Sequence, residues 1–522
     1  MRNRFSKRHL VIFEKSDQID SLINNLLNDI NRYDISLILK DPITQEWKKQ
    51  YEKKKVAVYV FDIEKANKKD ISSLFRNLNL NRASHIIFGA ESDLENYSNF
   101  QNTVKYLKPE VETNVYINCL SGSIPEYIEK YLSSAKVKEP GLSKLDIISY
   151  NLLELTTRKL LSDLNNPEGL LKFNFKRLRE LSKTETEYTV NKIDEEIGRV
   201  HFLILGANEL IAPLLKFAAN NTTISLSQKT KFTIMDEDAE KFIEKYIFDN
   251  EEILGALEIE AVSVNLKSKM LSRKLSEMTD NRPTAIFFMN ENTILNLETL
   301  AVVDRYFYHE PKALRNTSGI DLESLLPSGH EELRVFGSIE EIMNESVMLR
   351  SNLDVKAKRF NNSYNDISDS LGLGRGSVWY ELSQTKKDSS RASADHAAIK
   401  EAIIRNLYPG KTDAELSDII TGKLKEFKKI EEKYGQDKEG FKLAFSEFLT
   451  ENPILDYMSR LEHKRWNNSY YAMNFRYGNK RDEAEKTHPC LIDDWEVIMN
   501  ESFENCQPVY DLMATFALFK EE

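Results

Sequence analysis

The stretch LEHKRWNNSYYAMNFRYGNKRDEAEKTHPCL, residues 461–491, concentrates the side chains that could do chemistry in this chain. Its arginines could grip a phosphate through their planar guanidinium groups, and the face of its tryptophan could stack on a base. Catalysis is less favoured, because the chain contains no G-x-S-x-G, H-E-x-x-H or C-x-x-C motif that would supply a recognised nucleophile or metal centre. The stretch therefore predicts a binding site for an anionic ligand.

Two predicted helices would have to position these side chains. One lies within 379–400 and the other within 454–473, where polar and aromatic residues recur every fourth position on one face. If the helices pack together, their side chains line one cleft. The predicted ligand-binding residues are Trp379, Arg391, Asp395, His396, His463, Arg465, Trp466, Arg481 and His488. The alternative is a structural role, in which the tryptophan is core, the charged residues pair internally and the sequence His488-Pro489 shapes a turn.

A second candidate site follows the apolar strand that begins at residue 199. A dinucleotide fold needs glycine between its first strand and helix, because the backbone must turn tightly and approach a pyrophosphate. Gly206 fills the first glycine position, but Asn208 and Ile211 stand at the other two. Asp236 lies where an acid would accept a ribose hydroxyl. This half fingerprint predicts either weak binding of NAD or an adenine nucleotide, or a domain that has lost its ligand.

Two other phosphate-binding patterns are incomplete. The turn FEKSDQI at 13–19 has Glu14 at the point where glycine is needed, and a carboxylate there would crowd and repel a phosphate. The sequence GKT at 410–412 resembles the end of a phosphate-binding loop, but Arg405 replaces the required first glycine. We therefore predict a structural first domain and a capped helix start near residue 412.

The order of predicted elements gives an α/β fold class. Short apolar strands alternate with helical patterns, which is typical of parallel, doubly wound sheets, and this alternation occurs twice. We predict two tandem Rossmann-like doubly wound domains followed by a mainly α-helical domain. The predicted strands are HLVIF, ISLILKD, VAVYVFDI, HIIFGA and NVYINC, then RVHFLILGANEL (strand, turn and helix start), KFTIMDED, EIEAVSVN, TAIFFMN and LRVFGS. The predicted boundaries are 1–140 and 197–345 for the two α/β domains, 141–196 for a helical connector, 346–376 for a connecting helix with a Gly/Ser-rich linker, and 377–522 for the last domain.

The composition narrows the classes of function. A formal net charge of −11 argues against a general nucleic-acid binder, which usually carries a basic face. The three cysteines form no disulfide framework and suit a reducing compartment, and with His488 they show no metal-ligand spacing. The apolar start is too short for a signal peptide, and the stretch 200–219 is too polar at its centre to span a membrane. We expect a soluble, cytoplasmic protein without a metal site.

The first α/β domain resembles the TrkA-N (RCK-type) regulatory Rossmann domain of potassium transport proteins. The resemblance covers RHLVIF, VYVFDIEKANKKDISSLFRNLNLNRASHIIFGAESDLENYSNF and NVYIN, and Asp93 and Asn96 match the D-x-x-N that follows the fourth strand in that family. The second α/β domain resembles the same family more weakly. The glycine fingerprint is absent from the first copy, which makes that copy degenerate as a dinucleotide site, and it is incomplete in the second.

The last domain resembles the RyR domain, the repeat named after ryanodine receptors and found also in bacterial proteins. The matching segments are WYELSQTKKDSSRASADHAAIK, the stretch 461–491 with E-H-x-R-W, Y-G, R-D and H-P-x-L in order, and VYDLM. The two resemblances together imply a ligand-sensing regulator, commonly dimeric, that binds a nucleotide or related anion through the RyR domain and gates a partner, with antiviral defence among the implied roles. The alternatives are a nucleotide-processing or NAD(P)-dependent enzyme, and a cytosolic gating subunit of a potassium channel or transporter.

Overall fold

The structure is a computed structural model that describes residues 8–28, 33–120, 124–162, 169–184, 187–322, 333–349, 353–370, 376–434 and 437–519. The chain forms two compact units. The first comprises Met1–Leu155, Ser338–Ser351 and Val378–Gln384, and the second comprises Thr156–Gly337, Asn352–Ser377 and Thr385–Glu522. Each unit contains one six-stranded parallel sheet, which confirms the two tandem α/β folds expected from the sequence.

The first unit is a doubly wound sheet with strand order β3-β2-β1-β4-β5-β6. Its elements are β1 Arg8–Phe13, α1 Asp17–Asn28, β2 Tyr33–Leu39, α2 Gln45–Lys53, β3 Ala57–Val60, α3 Lys68–Asn77, β4 His85–Phe88, α4 Asp93–Val104, β5 Thr113–Asn118, α5 Ile124–Lys138 and β6 Leu145–Tyr150. Alternate residues of β1 enter two separate cores, with Val11 and Phe13 on one face and Leu10 and Ile12 on the other. Both faces are covered, which explains why the strands are continuously apolar.

The second unit contains the second sheet, with strand order β12-β11-β10-β7-β8-β9. The division between the units falls inside α6, Leu152–Ser162. The following elements are α7 Lys172–Thr184, α8 Val190–Ile197, β7 His201–Leu205, α9 Ile211–Asn221, β8 Thr230–Asp236, α10 Ala239–Asp249, α11 Ile253–Ala256, β9 Leu257–Ser263, α12 Lys269–Glu277, β10 Ala285–Phe288, α13 Thr293–Val303, β11 Lys312–Arg315 and β12 Leu333–Phe336. Read from its other edge, this order repeats that of the first sheet, so each sheet changes winding direction beside its first strand, β1 or β7.

The rest of the chain is mainly helical. Its elements are α14 Ile339–Ile342, which belongs to the first unit, then α15 Leu353–Ser370, α16 Gln384–Leu407, α17 Asp413–Tyr434, α18 Lys438–Glu451, α19 Pro453–Tyr471, β13 Arg476–Tyr477, β14 Thr487–His488, α20 Trp495–Asn500, α21 Phe503–Cys506 and α22 Val509–Phe516. Helix α19 is the centre of this region, because it packs against α18 and α22 and also against α8, α9 and α11 of the second sheet.

Each of the two sheets has its own buried asparagine, on the helix that follows its fourth strand. In the first unit, Asn96 accepts the Ala90 N–H and donates to the carbonyls of Ala90 and Asn118. In the second unit, Asn296 accepts the Asn290 N–H and donates to the carbonyls of Asn290 and Arg315. Both side chains are 1% exposed. The same topology and the same bridge from the fourth strand to the fifth support a tandem duplication.

Two strands correct the expectations from sequence. Residues 145–150 were expected in a helical connector, but they form β6 at the edge of the first sheet, paired with β5. Their run LDIISY is apolar enough for either a strand or a buried helix, and only pairing decides between them. Strand β11 was not expected at all, because KALR is short and begins and ends on a charged residue.

Two further features bear on the expected organisation. Helix α15 occupies the position of the expected connecting helix, while residues 371–375 of the expected glycine-rich linker lie outside the described residues. Within the described part of the chain, no helix is both long and apolar enough to cross a membrane. The described residues likewise hold no cluster of histidine, cysteine or acidic side chains arranged to bind a metal ion.

Candidate ligand sites

A tight glycine turn ends the first strand of the second sheet. Gly206 has φ +110°, a conformation that L side chains rarely adopt. A Cβ atom at this position would lie 2.8 Å from Nδ2 of Asn290 and 3.0 Å from its backbone nitrogen. Only glycine therefore fits between the ends of β7 and β10. This is the point where the sheet changes winding direction, and open α/β sheets bind ligands at such points.

The other two predicted cofactor residues lie beside this turn. The carboxylate of Asp236, at the end of β8, accepts the Ala207 N–H at 3.2 Å. The Asn208 side chain donates to the Met289 carbonyl and accepts the Leu210 N–H. The structure thus brings Gly206, Asn208 and Asp236 to one edge of the sheet. Asn208 also links the glycine turn to β10, so this edge is more closed than one with glycine at that position.

Arg315 is a candidate residue at this edge that the sequence did not reveal. Its side chain is 9% exposed, and its guanidinium lies 3.3 Å from Glu209, 3.7 Å from Glu291 and 3.4 Å from the Met289 carbonyl. Arg315 ends β11, the strand that was not expected, so nothing in the sequence placed it near the glycine turn. Burial raises the pKa of Glu209, but hydrogen bonds and the Arg315 charge outweigh burial and leave it below its ordinary value.

The first sheet carries a glutamate at the equivalent point. Glu14 directly follows β1 and adopts φ +67° although it is not glycine, and its carboxylate accepts the Lys40 N–H at 2.7 Å. Burial raises the pKa of Glu14 to about 7. The side chain itself thus satisfies a backbone donor at the end of β2.

Helix α9 connects the glycine turn to the C-terminal helices. It begins at Ile211 and ends at Asn221, and the residues that follow it, 223–228, are held by four side chains of α16 and α19. These side chains are His396 and Asn468 on Thr223, Tyr457 on the Ile224 carbonyl and Lys464 on the Leu226 carbonyl. A displacement of α9 would therefore reach the C-terminal helices directly.

A buried charged cluster joins α16 to α19. Glu462 accepts from Arg465 at 2.8 Å and from the Lys400 ammonium at 2.9 Å, and the three side chains are at most 6% exposed. Burial raises the pKa of Glu462, but the two cations outweigh burial and hold it well below its ordinary range. Nη1 of Arg465 has no hydrogen-bond partner among the described residues, so this buried guanidinium is not fully satisfied.

Most of the predicted ligand-binding residues have internal partners. In the first unit, the Trp379 indole N–H donates to Asp146 at 2.9 Å. In the second unit, Arg391 pairs with Asp388, and Asp395 accepts a bidentate contact from Arg158. The remaining buried members are His396, on the Thr223 carbonyl, and His463, between Asp511 and the Ile492 carbonyl. Burial lowers the pKa of His463, but Asp511 outweighs burial and raises it above its ordinary value.

The more exposed members form an aromatic group around Trp466. Its ring centroid lies 4.4 Å from that of Tyr470 and 5.0 Å from that of His488. Arg481 is exposed and pairs with Glu483, and it lies close enough to Tyr470 to interact electrostatically. Trp466 on α19, His488 on β14 and Arg481 in the segment between β13 and β14 thus remain together.

Comparisons with known proteins give no family assignment. No family model matches the chain, and no curated protein matches it. Among solved structures, GsuK bound to ADP is 11% identical with a TM-score of 0.34, covering 65% of this chain and 68% of that one. The GsuK RCK domain is 9% identical with a TM-score of 0.35, covering 68% and 80%. Anabaena HepE in complex with UDP and glucose is 8% identical with a TM-score of 0.18, covering 77% and 97%. Identities and scores this low do not carry function from those proteins to this chain.

Proposed function

We propose that this protein is a ligand-sensing regulator. In this proposal the second sheet binds a nucleotide at the edge that holds Gly206 and Asp236. Binding there changes the C-terminal helices, and these helices regulate a partner. The observation that carries the proposal is the position of α9 between the glycine turn and the C-terminal helices. This helix starts beside the glycine turn, and the residues after it are held by α16 and α19. Binding at one end of α9 is thereby coupled to contacts at the other.

The residues at this edge suit a nucleotide in two ways. The Asp236 carboxylate keeps acceptor capacity beyond the Ala207 N–H, so it can accept the hydroxyls of a ribose. Arg315 can hold a phosphate if the phosphate replaces Glu209 and Glu291. The side chains of these two acids are 45% and 68% exposed, and an exposed ion pair contributes only about 0–1 kcal/mol. A ligand phosphate can therefore compete with them for the guanidinium.

A calorimetric titration tests the proposal. Purified protein is titrated with ADP, ATP, NAD(H) and NADP(H), and the titration is repeated on Asp236→Asn and Gly206→Ala. At least one nucleotide should bind the wild type. Both variants should weaken its binding by roughly tenfold or more, because Asp236→Asn removes the charge of an acceptor and Gly206→Ala removes the space at the turn. Binding that is unchanged in both folded variants would contradict a site at this edge.

Gly319→Ala is the matched control for the glycine variant. Gly319 lies in the same unit and has φ +67°, but a Cβ atom there would meet nothing within 4 Å. It therefore adds a side chain at a positive-φ glycine without the collision at Asn290. Nucleotide affinity should be unchanged in Gly319→Ala and weakened in Gly206→Ala. Product analysis of the same samples distinguishes a sensor from an enzyme, because a sensor leaves the nucleotide intact.

A second candidate site is the aromatic group on α19. The specific observation in its favour is the group of rings formed by Trp466, Tyr470 and His488, with the exposed Arg481 beside it. Here an anionic ligand would pair with Arg481 while its base stacks on the tryptophan. Trp466→Ala and Arg481→Ala test this site. Loss of nucleotide binding in these variants, with normal binding in Asp236→Asn, would assign the ligand to the C-terminal helices instead.

A further inference from the structure

The side chain of Arg315 is held across the end of the second sheet by its neighbours. Arg315 pairs with Phe336 of β12 in the sheet register, and Gly337, which follows that strand with φ +99°, leaves room for the arginine stem. A Cβ atom on Gly337 would lie only 3.3 Å from Cγ of Arg315. At its other end the guanidinium lies 3.4 Å from the Met289 carbonyl, the same oxygen that accepts the Asn208 side chain. The guanidinium is therefore fixed beside the glycine turn.

The two carboxylates that pair with this guanidinium hold it loosely. Glu209 lies 3.3 Å and Glu291 3.7 Å from Nη2 of Arg315. By comparison, Arg158 donates to Asp395 through two nitrogens at 2.8 and 2.9 Å, which is the close bidentate geometry that arginine usually makes with an anion. The side chains of Glu209 and Glu291 are 45% and 68% exposed, whereas that of Arg315 is 9% exposed. A buried cation is thus covered by two exposed acids, neither of which makes a close contact with it.

We propose, resting on the nucleotide site of the proposed function, that Glu209 and Glu291 form an autoinhibitory contact with Arg315. They occupy the position on the guanidinium that a ligand phosphate takes, and they leave when the phosphate binds. Two phosphate oxygens offer Arg315 the close bidentate contact that these acids do not make. Two consequences follow: a ligand opens the site only if it carries a phosphate that reaches Arg315, and displacing the acids lowers its affinity.

The position of Glu209 connects this contact to regulation. Glu209 lies two residues before Ile211, the first residue of α9, and its neighbour Asn208 accepts the Leu210 N–H. Release of Glu209 from Arg315 therefore takes place at the start of the helix whose other end is held by the C-terminal helices. Glu291 follows β10 and has no such connection to α9 along the chain, so it closes the same guanidinium from a different segment.

Calorimetric titration of the full-length protein with ADP and with inorganic pyrophosphate tests the contact. Glu209→Gln, Glu291→Gln and the double variant are compared with the wild type. Each single variant should bind the probes about two- to fivefold more tightly, the range that corresponds to the loss of one exposed ion pair, and the double variant roughly tenfold more tightly. Adding Arg315→Gln to the double variant should remove the gain. The comparison of the glutamate variants with the wild type stands even if the Arg315 variant does not fold.

Glu237→Gln is the matched control for the loss of a negative charge. Glu237 is an exposed acid that directly follows β8 at the same edge of the sheet, and its carboxylate lies 3.5 Å from the Asn265 side chain. Its substitution should change the affinity for either probe by less than about twofold, because an exposed charge that is not paired with the guanidinium is screened by solvent. Equal tightening in Glu237→Gln and Glu291→Gln would indicate a general charge effect and would overturn the autoinhibitory contact.

The remaining outcomes separate the contact from the proposed function. Tighter binding in the glutamate variants, or binding seen only in the double variant, supports the contact. If ADP binds the wild type and the glutamate variants bind it equally or more weakly, the contact is overturned and the nucleotide site stands. A double variant that binds neither probe also overturns the contact, and the nucleotide site itself fails only if ATP, NAD(H) and NADP(H) likewise do not bind the wild type.

Discussion

At the scale of single residues, Glu14 is a carboxylate in the backbone conformation that glycine prefers. Burial raises its pKa to about 7, the carboxylates of Glu95 and Asp41 add to the shift, and the Lys40 N–H opposes it. The unfolded chain releases this proton near pH 4.5, so the folded state holds the proton more tightly. The stabilising contribution is therefore complete below about pH 4.5 and is lost as the pH rises through about 7.

This sign gives a prediction about the thermal stability of the first unit. The melting temperature should fall between about pH 5 and pH 7.5, and Glu14→Gln should reduce that fall because an amide does not titrate. Glu46→Gln, at an exposed position on α2, is the control and should keep the wild-type pH dependence. Differential scanning calorimetry at several pH values checks this, and an equal fall in Glu14→Gln and wild type would contradict it.

Glu462 gives a second prediction at this scale. Its carboxylate is the shared partner of two buried cations, Lys400 and Arg465. Glu462→Gln removes the negative charge and leaves both cations uncompensated, which should lower the free energy of unfolding by about 3–5 kcal/mol. Urea denaturation measures this. The exposed pair of Lys423 and Glu426 is the control, since Glu426→Gln should cost less than about 1 kcal/mol. Similar costs for the two variants would contradict a buried charged cluster.

At the scale of secondary-structure elements, the two buried asparagines predict parallel effects in the two sheets. Asn96→Ala and Asn296→Ala each remove three hydrogen bonds and leave buried backbone groups unpaired. Each variant should lower the free energy of unfolding of its own unit by roughly 1–3 kcal/mol or more. Asn102→Ala, which removes one long contact on α4, is the control. Limited proteolysis should show faster cleavage within the unit that carries the variant, and equal cleavage of both units would contradict the prediction.

The strands that the sequence predicted and the strands that it missed differ in a physical way. The confirmed strands are apolar runs between helical segments, and this pattern is visible before any pairing is known. Strand β6 was missed because LDIISY continues into a helical leucine pattern, and β11 because KALR has two buried charged ends. Both are placed by neighbouring strands, and pairing is tertiary information that a local pattern does not contain.

The same distinction applies to the candidate sites. Gly206 and Asp236 were predictable, because glycine and an acid recur at fixed positions of a known turn. Arg315 was not, because it reaches the glycine turn from a strand that only the sheet places there. Asp395 was predicted to bind a ligand together with Arg391 of the same helix, but its carboxylate pairs with Arg158 of α6. Helical spacing identifies which residues share a face, and tertiary packing decides what that face meets.

At the scale of the second unit as a whole, α19 connects the sheet to the C-terminal helices. It contacts α8, α9 and α11 next to the sheet and α18 and α22 in the C-terminal region. A nucleotide at the glycine turn should therefore slow hydrogen exchange beyond its own contacts. We expect protection in α9, in residues 223–228 and in α16 and α19, because opening these segments would break the contacts to Thr223 and Ile224.

Hydrogen–deuterium exchange with and without the nucleotide that binds most tightly checks this prediction. At about 100 times its dissociation constant the ligand adds roughly 2.7 kcal/mol to the stability of the bound form, which is enough to slow exchange wherever opening requires ligand release. Asn468→Ala removes one link at Thr223 without touching the glycine turn, so it should preserve affinity and reduce protection in α19. Protection confined to residues 206–212 would mean that ligand binding does not affect the C-terminal helices. That result would contradict the regulatory part of the proposal and leave the binding part intact.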